Sequence, residues 1–123
     1  MGIEVKLEVF EGPLDLLLHL IEKNKIDIYD IPIAEITDQY MEYVNQMKTA
    51  DLDTMSDFLL VAAQLINIKS RMLLPKEEKE NGEEIDPRED LVKRLIEYKM
   101  YKYSAELLKG KGDFASSYLF KEP

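Results

Sequence analysis

His19 is the only histidine and cysteine is absent, which removes most of the side chains that carry nucleophilic or metal chemistry. A Ser–His pair or an imidazole-rich metal site has almost nothing to be built from, and a thiolate nucleophile or disulfide framework nothing at all. The 25 Asp and Glu residues are numerous enough for acid–base work. Their pattern, however, puts them on the polar faces of predicted helices and in one acidic run, where carboxyl groups keep ordinary pKa values and no acid/base division arises. Gly110-Lys111-Gly112 is the nearest approach to a phosphate loop, and it lacks the preceding strand and the required glycine spacing. The expectation is therefore that there are no catalytic, cofactor-binding or metal-ligating residues, with His19 on a helix surface and the carboxylates serving solubility.

Charge and length narrow the class further. A net charge of -9 over 123 residues repels phosphate backbones, so direct DNA binding is disfavoured. The longest apolar run, Phe58 to Ile68, is about half of what a membrane span needs and is followed by Lys69 and Arg71. No membrane association is expected. The opening "MGIEVKLEVFEG" has no apolar signal core, and a reducing cytoplasm is the expected compartment.

The elements that must position any binding surface read as helices. Ile3, Val5, Leu7 and Val9 alternate with charged residues, a period of two that suggests a short extended arm. Pro13 opens a first helix to about Asn24, with Leu14, Leu17, Leu18 and Ile21 on its apolar side and Asp15, His19, Glu22 and Lys23 opposite. "KIDIYDIP" reads as an apolar clamp of Ile26, Ile28 and Ile31 closed by Pro32. A second helix to about Lys48 buries Ile33, Ile36, Tyr40, Val44 and Met47. Asp51 or Asp53 caps a third helix that runs to Leu74 and stops at Pro75. "PKEEKENGEEIDPRED" then carries eight carboxylates against three basic groups, the composition of a solvated linker. Asp86, Pro87 and Glu89 have the spacing of a helix start with a capping box. The fourth helix spans Pro87 to about Lys109 and is striped by Leu91, Leu95, Tyr98, Tyr101, Ala105 and Leu108. Residues 110–123 read as a flexible tail with an apolar hook.

The third helix poses the functional question. Asp53, Asp57, Gln64, Asn67 and Arg71 form one narrow polar stripe on it, and nearly everything else is apolar or alanine. With two other helices to cover it, one side is expected to be kept for a partner helix. Ala62 and Ala63 would permit close approach, and Leu59, Ile66 and Met72 would supply knobs.

Four stretches also resemble a known family. "FEGPLDLLLHLI", "IDIYDIPIAEIT", "IKSRMLLP" and "DPREDLVKRLIEYKMYK" are similar to the bacterial segregation and condensation protein A family, the kleisin subunits of prokaryotic SMC complexes. The resemblance covers most of residues 5–109. It implies an N-terminal helical domain that joins the coiled-coil neck of an SMC ATPase head, a central segment held by a dimer of the accessory protein ScpB, and a C-terminal winged helix on the other head, closing a ring around DNA. No winged helix follows here, so the chain is read as an N-terminal fragment.

The reading is an all-α fold: a small bundle of three helices with a short N-terminal extended arm, and a fourth helix after an acidic linker. Residues 1–75 would be the SMC-neck-binding domain, 76–86 the linker, 87–109 the helix leading into the central segment, and 110–123 the tail. Tyr40, Val44, Leu59, Ala62, Ala63, Ile66, Lys69, Ser70 and Met72 are the expected contacts to the SMC neck. Tyr98, Tyr101, Phe114, Tyr118 and Phe120 are those to ScpB. DNA would be reached only through the complex, on the nucleoid in the cytoplasm, and the isolated chain is expected to form a homodimer. The rival reading is a helical adaptor for an unrelated coiled-coil or amphipathic-helix partner.

Overall fold

The computed structural model describes residues 10–47 and 51–110; the expected arm at residues 1–9 and the tail beyond Gly110 lie outside the described residues. Four helices follow in order, α1 (Pro13–Lys23), α2 (Ile33–Asn45), α3 (Leu52–Met72) and α4 (Glu89–Gly110). The fold is all-α, as expected.

α1 starts where Pro13 needs no amide partner and where Asp15 sits near the positive helix end. It stops where Lys25 takes a left-handed φ of 54°, which lets the Ile26 amide donate to the Ile21 carbonyl at 2.9 Å. Asn24 Nδ2 donates to the Leu20 carbonyl at 2.6 Å and to Gln39 Oε1 of α2 at 2.8 Å. The end of α1 is thereby tied to its neighbour. α1 touches each of the other three helices, so Leu16, Leu17, Leu18, Leu20 and Ile21 are all buried.

That enclosure corrects one expectation. Asp15, placed on the water-facing side by its spacing, is buried because α4 closes over that side of α1. Its carboxylate accepts from the Glu11 amide at 3.1 Å and from Lys102 Nζ, so the charge is paired where it is dehydrated. The hydrogen bond from Lys102 holds the ammonium above its ordinary pKa.

α2 lies along α3. Ile33, Ile36, Tyr40 and Val44 of α2 meet a core that includes Phe58, Val61, Ala62, Leu65 and Ile68 of α3. The Ile26–Ile31 connector covers it as an apolar clamp, with Ile31 buried and Ile26 and Ile28 partly so. Tyr40 and Phe58 stack at 6.5 Å, and the Tyr40 hydroxyl donates to the Phe58 carbonyl at 2.7 Å. Burial pushes the Tyr40 phenol well above its ordinary pKa. Thr37 is also buried, but its hydroxyl finds no partner among the described residues. Asp51 caps α3 by accepting from the Asp53 and Thr54 amides and from the Thr54 hydroxyl, bonds led by that to Thr54 that hold its carboxyl below the usual range.

Residues 76–86 have a more definite shape than a solvated linker. The Lys79 amide donates to Glu83 and the Ile85 amide to Glu77, each at 2.7 Å, around a bridge between Glu78 and Glu84. Gly82 turns the chain with a φ of +83°, which a side chain would strain. α4 then starts at Glu89, later than the expected Pro87, and the capping box does not form. The Asp86 carboxylate instead accepts from the Arg88 amide at 2.9 Å and grips the guanidinium through Nε and Nη2. Arg88 Nη1 reaches across to the Ile31 carbonyl at 2.8 Å and Asp30 at 2.9 Å. Drawn toward this backbone, residues 86–88 turn before the helix begins, and Glu89 pairs with Lys79 and Lys93.

Only the first half of α4 follows its expected stripe. Leu91 and Leu95 enter the core and Tyr98 is partly covered, whereas Tyr101, Ala105 and Leu108 face water. The reason is the character of α1 opposite: past Tyr98 the cleft between the two helices is lined by Asp15, His19 and Glu22 on one side and Lys99, Lys102, Tyr103 and Glu106 on the other. A polar seam there turns the tyrosine–leucine stripe outward.

Two substitutions separate the terms in this core. Tyr40→Phe strands one lone pair of a buried carbonyl and is expected to cost about 1 kcal/mol, whereas Thr37→Val removes an unsatisfied hydroxyl and should be neutral or stabilising by up to about 1 kcal/mol. Urea unfolding monitored by circular dichroism reads both.

The Arg88 clamp carries a pH dependence of fixed sign. The hydrogen bond from Arg88 holds the Asp86 carboxyl below its ordinary value. The clamp's stabilisation is therefore full above the unfolded carboxyl pKa of about 3.9 and is lost as pH falls through the folded-state value. Thermal melts should show Arg88→Ala less stable than wild type at pH 7, with the gap narrowing below about pH 4.

Candidate protein-interaction site

The side of α3 turned away from the core is built by a simple repeat. Phe58, Val61, Ala62, Leu65 and Ile68 face inward. On the opposite side, Leu52, Ser56, Leu59, Ala63, Ile66, Ser70 and Leu73 are all exposed. These positions follow one another at alternating intervals of four and three, the heptad spacing that keeps a seam facing a partner helix. Large aliphatic residues occupy every second position and Ser or Ala the others. Leu59 and Ile66 are each 49% exposed, Leu52 79% and Leu73 83%, unusual for residues of this size on a helix as long as about 32 Å. Leu60, 61% exposed, widens the strip.

Of the expected SMC-neck contacts, Leu59, Ala63, Ile66, Ser70 and Met72 lie on the surface of α3. Lys69 stands at the edge toward α2, its Nζ 3.4 Å from Asp38. Tyr40, Val44 and Ala62 do not belong to this surface: each is buried in the core. Tyr40 and Val44 stand on the side of α2 that its apolar period marks as buried, packed on α3, and Ala62 faces inward beside Val61 and Leu65. Reaching them would require separating the two helices. Leu52, Ser56 and Leu73 belong to the exposed side and escaped the sequence reading, although the four–three spacing extended on both sides of Ala63 would have found them; Leu60, off that series, was missed as well.

The tyrosines of α4 divide similarly. Tyr98 is held to the bundle, its hydroxyl 2.9 Å from a Glu11 carboxylate oxygen, and burial with that bond raises its pKa well above the ordinary value. Tyr101 is 64% exposed, and its ring lies 6.1 Å from that of Tyr98. Phe114, Tyr118 and Phe120 lie outside the described residues. His19 is exposed on α1, with its ring 5.2 Å from Phe10 and 6.4 Å from Tyr43. Among the described residues no three His, Asp or Glu side chains are grouped to hold a metal, and no helix is long and apolar enough to cross a membrane.

The arrangement defines a small helical bundle that presents an uncovered apolar helix face. Comparison with known proteins agrees with the resemblance seen in the sequence: the family model for segregation and condensation protein ScpA matches residues 20–120. The segregation and condensation protein A of Caldanaerobacter subterraneus subsp. tengcongensis is 64% identical over 110 residues, 86% of this chain and 44% of the relative. The protein of the same name from Bacillus subtilis is 52% identical over 125 residues, 98% of this chain and 50% of its own length. The chain belongs to the segregation and condensation protein ScpA family, and it spans about half the length of the curated relatives it matches.

The division of α3 into an inner and an outer side is testable without any partner. Leu59→Asp or Ile66→Asp should change stability by no more than about 0.5 kcal/mol, whereas Leu65→Asp, which buries an unpaired charge, should leave the chain unfolded. Denaturant midpoints for the three variants read the difference.

Proposed function

We propose that this chain is the SMC-engaging part of a kleisin subunit, acting in chromosome condensation and segregation as the names of its relatives indicate. The observation that carries this reading is the uncovered heptad face of α3 in a chain of this family. An SMC neck is a coiled coil, and a coiled coil is covered well by a helix that offers large and small residues at alternating four and three spacing. Leu59, Ala63 and Ile66 at the centre of the face are the contacts proposed for the neck, with Ser70 and Met72 toward its end. Residues 1–75 then form the neck-binding unit, and α4 leads from it into the segment that engages ScpB. Tyr101 on the exposed side of α4 is the candidate ScpB contact within the described residues.

The role is architectural and non-enzymatic. The subunit bridges an SMC ATPase and ScpB, and it meets DNA only through the assembled complex on the nucleoid. The net charge of -9 supports that indirect contact, because a chain so acidic is repelled by a phosphate backbone.

Titration calorimetry with an SMC head-plus-neck fragment tests the reading. Ala63→Glu combined with Ile66→Glu should weaken binding by at least about 100-fold with the fold intact, since two charges would be buried without partners. Reversing several charges between Glu77 and Glu84, which lie in the exposed hairpin, should leave the affinity within about threefold. Unchanged binding by the folded double variant would place the contact elsewhere, and binding to unrelated coiled coils with equal affinity would favour a general helical adaptor.

A further inference from the structure

Two hollows lie along the side of α3 that faces the start of α4, about a quarter turn around the helix from the crest formed by Leu59 and Ile66. One, about 350 Å³, runs between Leu60, Ala63 and Asn67 of α3 and Pro87, Asp90 and Arg94. The buried side chains of Ile68 and Leu91 form its floor. The other, about 370 Å³, continues past the end of α3 between Met72, Leu74 and Ile85. Arg71 and Pro87 line both, so the two make one groove that follows α3 from Leu60 to Met72, about 18 Å. It exists because α4 packs mainly on α1 and not along α3.

Charge indicates what would fill it. Of the three arginines, Arg71 pairs with Glu77 and Arg88 with Asp86 and Asp30. Arg94 meets no carboxylate among the described residues: its Nη1 donates to the neutral Gln64 amide oxygen at 3.0 Å, and the rest of its guanidinium fork is open to an acceptor. Asp90, one helical turn before it, pairs with no cation among the described residues. The groove thus combines an aliphatic floor with an unneutralised cation and an anion one turn apart on the same wall. A helix with aliphatic side chains toward the floor and an acid–base pair at i and i+4 along its edge matches all three.

We propose that one helix of the coiled-coil partner lies in this groove, and that Arg94 and Asp90 select it by pairing with a carboxylate and a basic side chain of that helix. The proposal rests on the reading of α3 as the neck-binding element and extends it to α4. A two-stranded coiled coil presents two helices side by side. α3 presents two adjacent surfaces, the crest at Leu59 and Ile66 and the groove beside Leu60, and Ala63 belongs to both. One neck helix on each surface buries the crest and the groove together. The first half of α4 becomes a specificity element, because a helix lacking the charge pair would bury Arg94 without an acceptor.

Titration calorimetry of the whole chain with an SMC head-plus-neck fragment tests this. Asn67→Trp fills the groove from an exposed position, and Arg94→Glu reverses its charge; each should weaken binding about tenfold or more with the circular dichroism spectrum unchanged. Gln64→Ala removes the partner of Arg94 within the chain but keeps the cation, so the affinity should stay within about threefold. A loss equal to that of Arg94→Glu would show that Arg94 only holds α4 to α3, and would overturn its selective role. Reversing the acidic residues of the neck one at a time should find one that restores binding to Arg94→Glu. Full binding by folded Asn67→Trp and Arg94→Glu, with Ala63→Glu combined with Ile66→Glu still defective, would overturn the groove and leave the crest as the contact. Absence of binding by the wild-type chain would instead remove the neck-binding reading and this proposal with it. Self-association of the whole chain that Asn67→Trp abolishes, with neck binding untouched, would assign the groove to a second copy.

Discussion

The enclosure of α1 is the constraint on which the rest of the structure depends. Eleven residues supply five buried aliphatic side chains, and no single neighbouring helix can cover so broad an apolar surface. Three helices are needed around it, and the described residues supply three. α2 and α4 take up sides of α1, so neither is free to wrap the outer side of α3. The exposed seam is thus a consequence of how the core closes. The buried Asp15 follows from the same geometry, because a helix enclosed on this many sides can hold its first-turn carboxylate inside only if a cation comes with it, and Lys102 does.

Polar contacts then decide how the outer pieces are held. α4 contributes only two fully buried side chains, Leu91 and Leu95, and two buried leucines by themselves leave the direction of a 22-residue helix loosely specified. Its direction is set by hydrogen bonds spread along it: Arg88, just before the helix, to the Asp30 carboxylate and the Ile31 carbonyl, Arg94 to Gln64 at 3.0 Å, Tyr98 to Glu11, and Lys102 to Asp15. Such contacts are directional and individually modest, so they align the helix without adding much to the core. The half of α4 beyond Tyr98 keeps its apolar residues outward for this reason.

α3 joins the two themes. Its inner side meets α2 with a continuous aliphatic and aromatic surface, fixed in register by the Tyr40 hydroxyl on the Phe58 carbonyl, and its outer side repeats on a heptad. A straight helix cannot hold a period of 3.5 for long without drifting. Over three turns on either side of Ala63 the drift is small, so the face suits a short contact with one helix better than an extended supercoil.

Much of this was determined by the sequence. Helix identity followed from apolar period and punctuation: Pro13, Pro32 and Asp51 mark starts, and the pattern of Leu16 to Ile21 or Ile33 to Val44 could not have been a half-buried strand. The absence of cysteine and the single histidine bounded the chemistry, and the family was legible in four contiguous stretches. Tertiary structure alone decided which apolar residues of α3 are left exposed. Leu59 and Ile66 are as apolar as Val61 and Leu65 on the same helix, and composition ranks them alike; only the placement of α2 on one side of α3 sends Val61 and Leu65 into the core and leaves Leu59 and Ile66 half in water, whereas the apolar period of α2 had already put Tyr40 and Val44 inside. Asp15 and the outer stripe of α4 were illegible for the same reason. Local sequence sets the period of a face, whereas exposure depends on which neighbouring helix occupies the space beside it, and that choice is made by the packing of all four helices together.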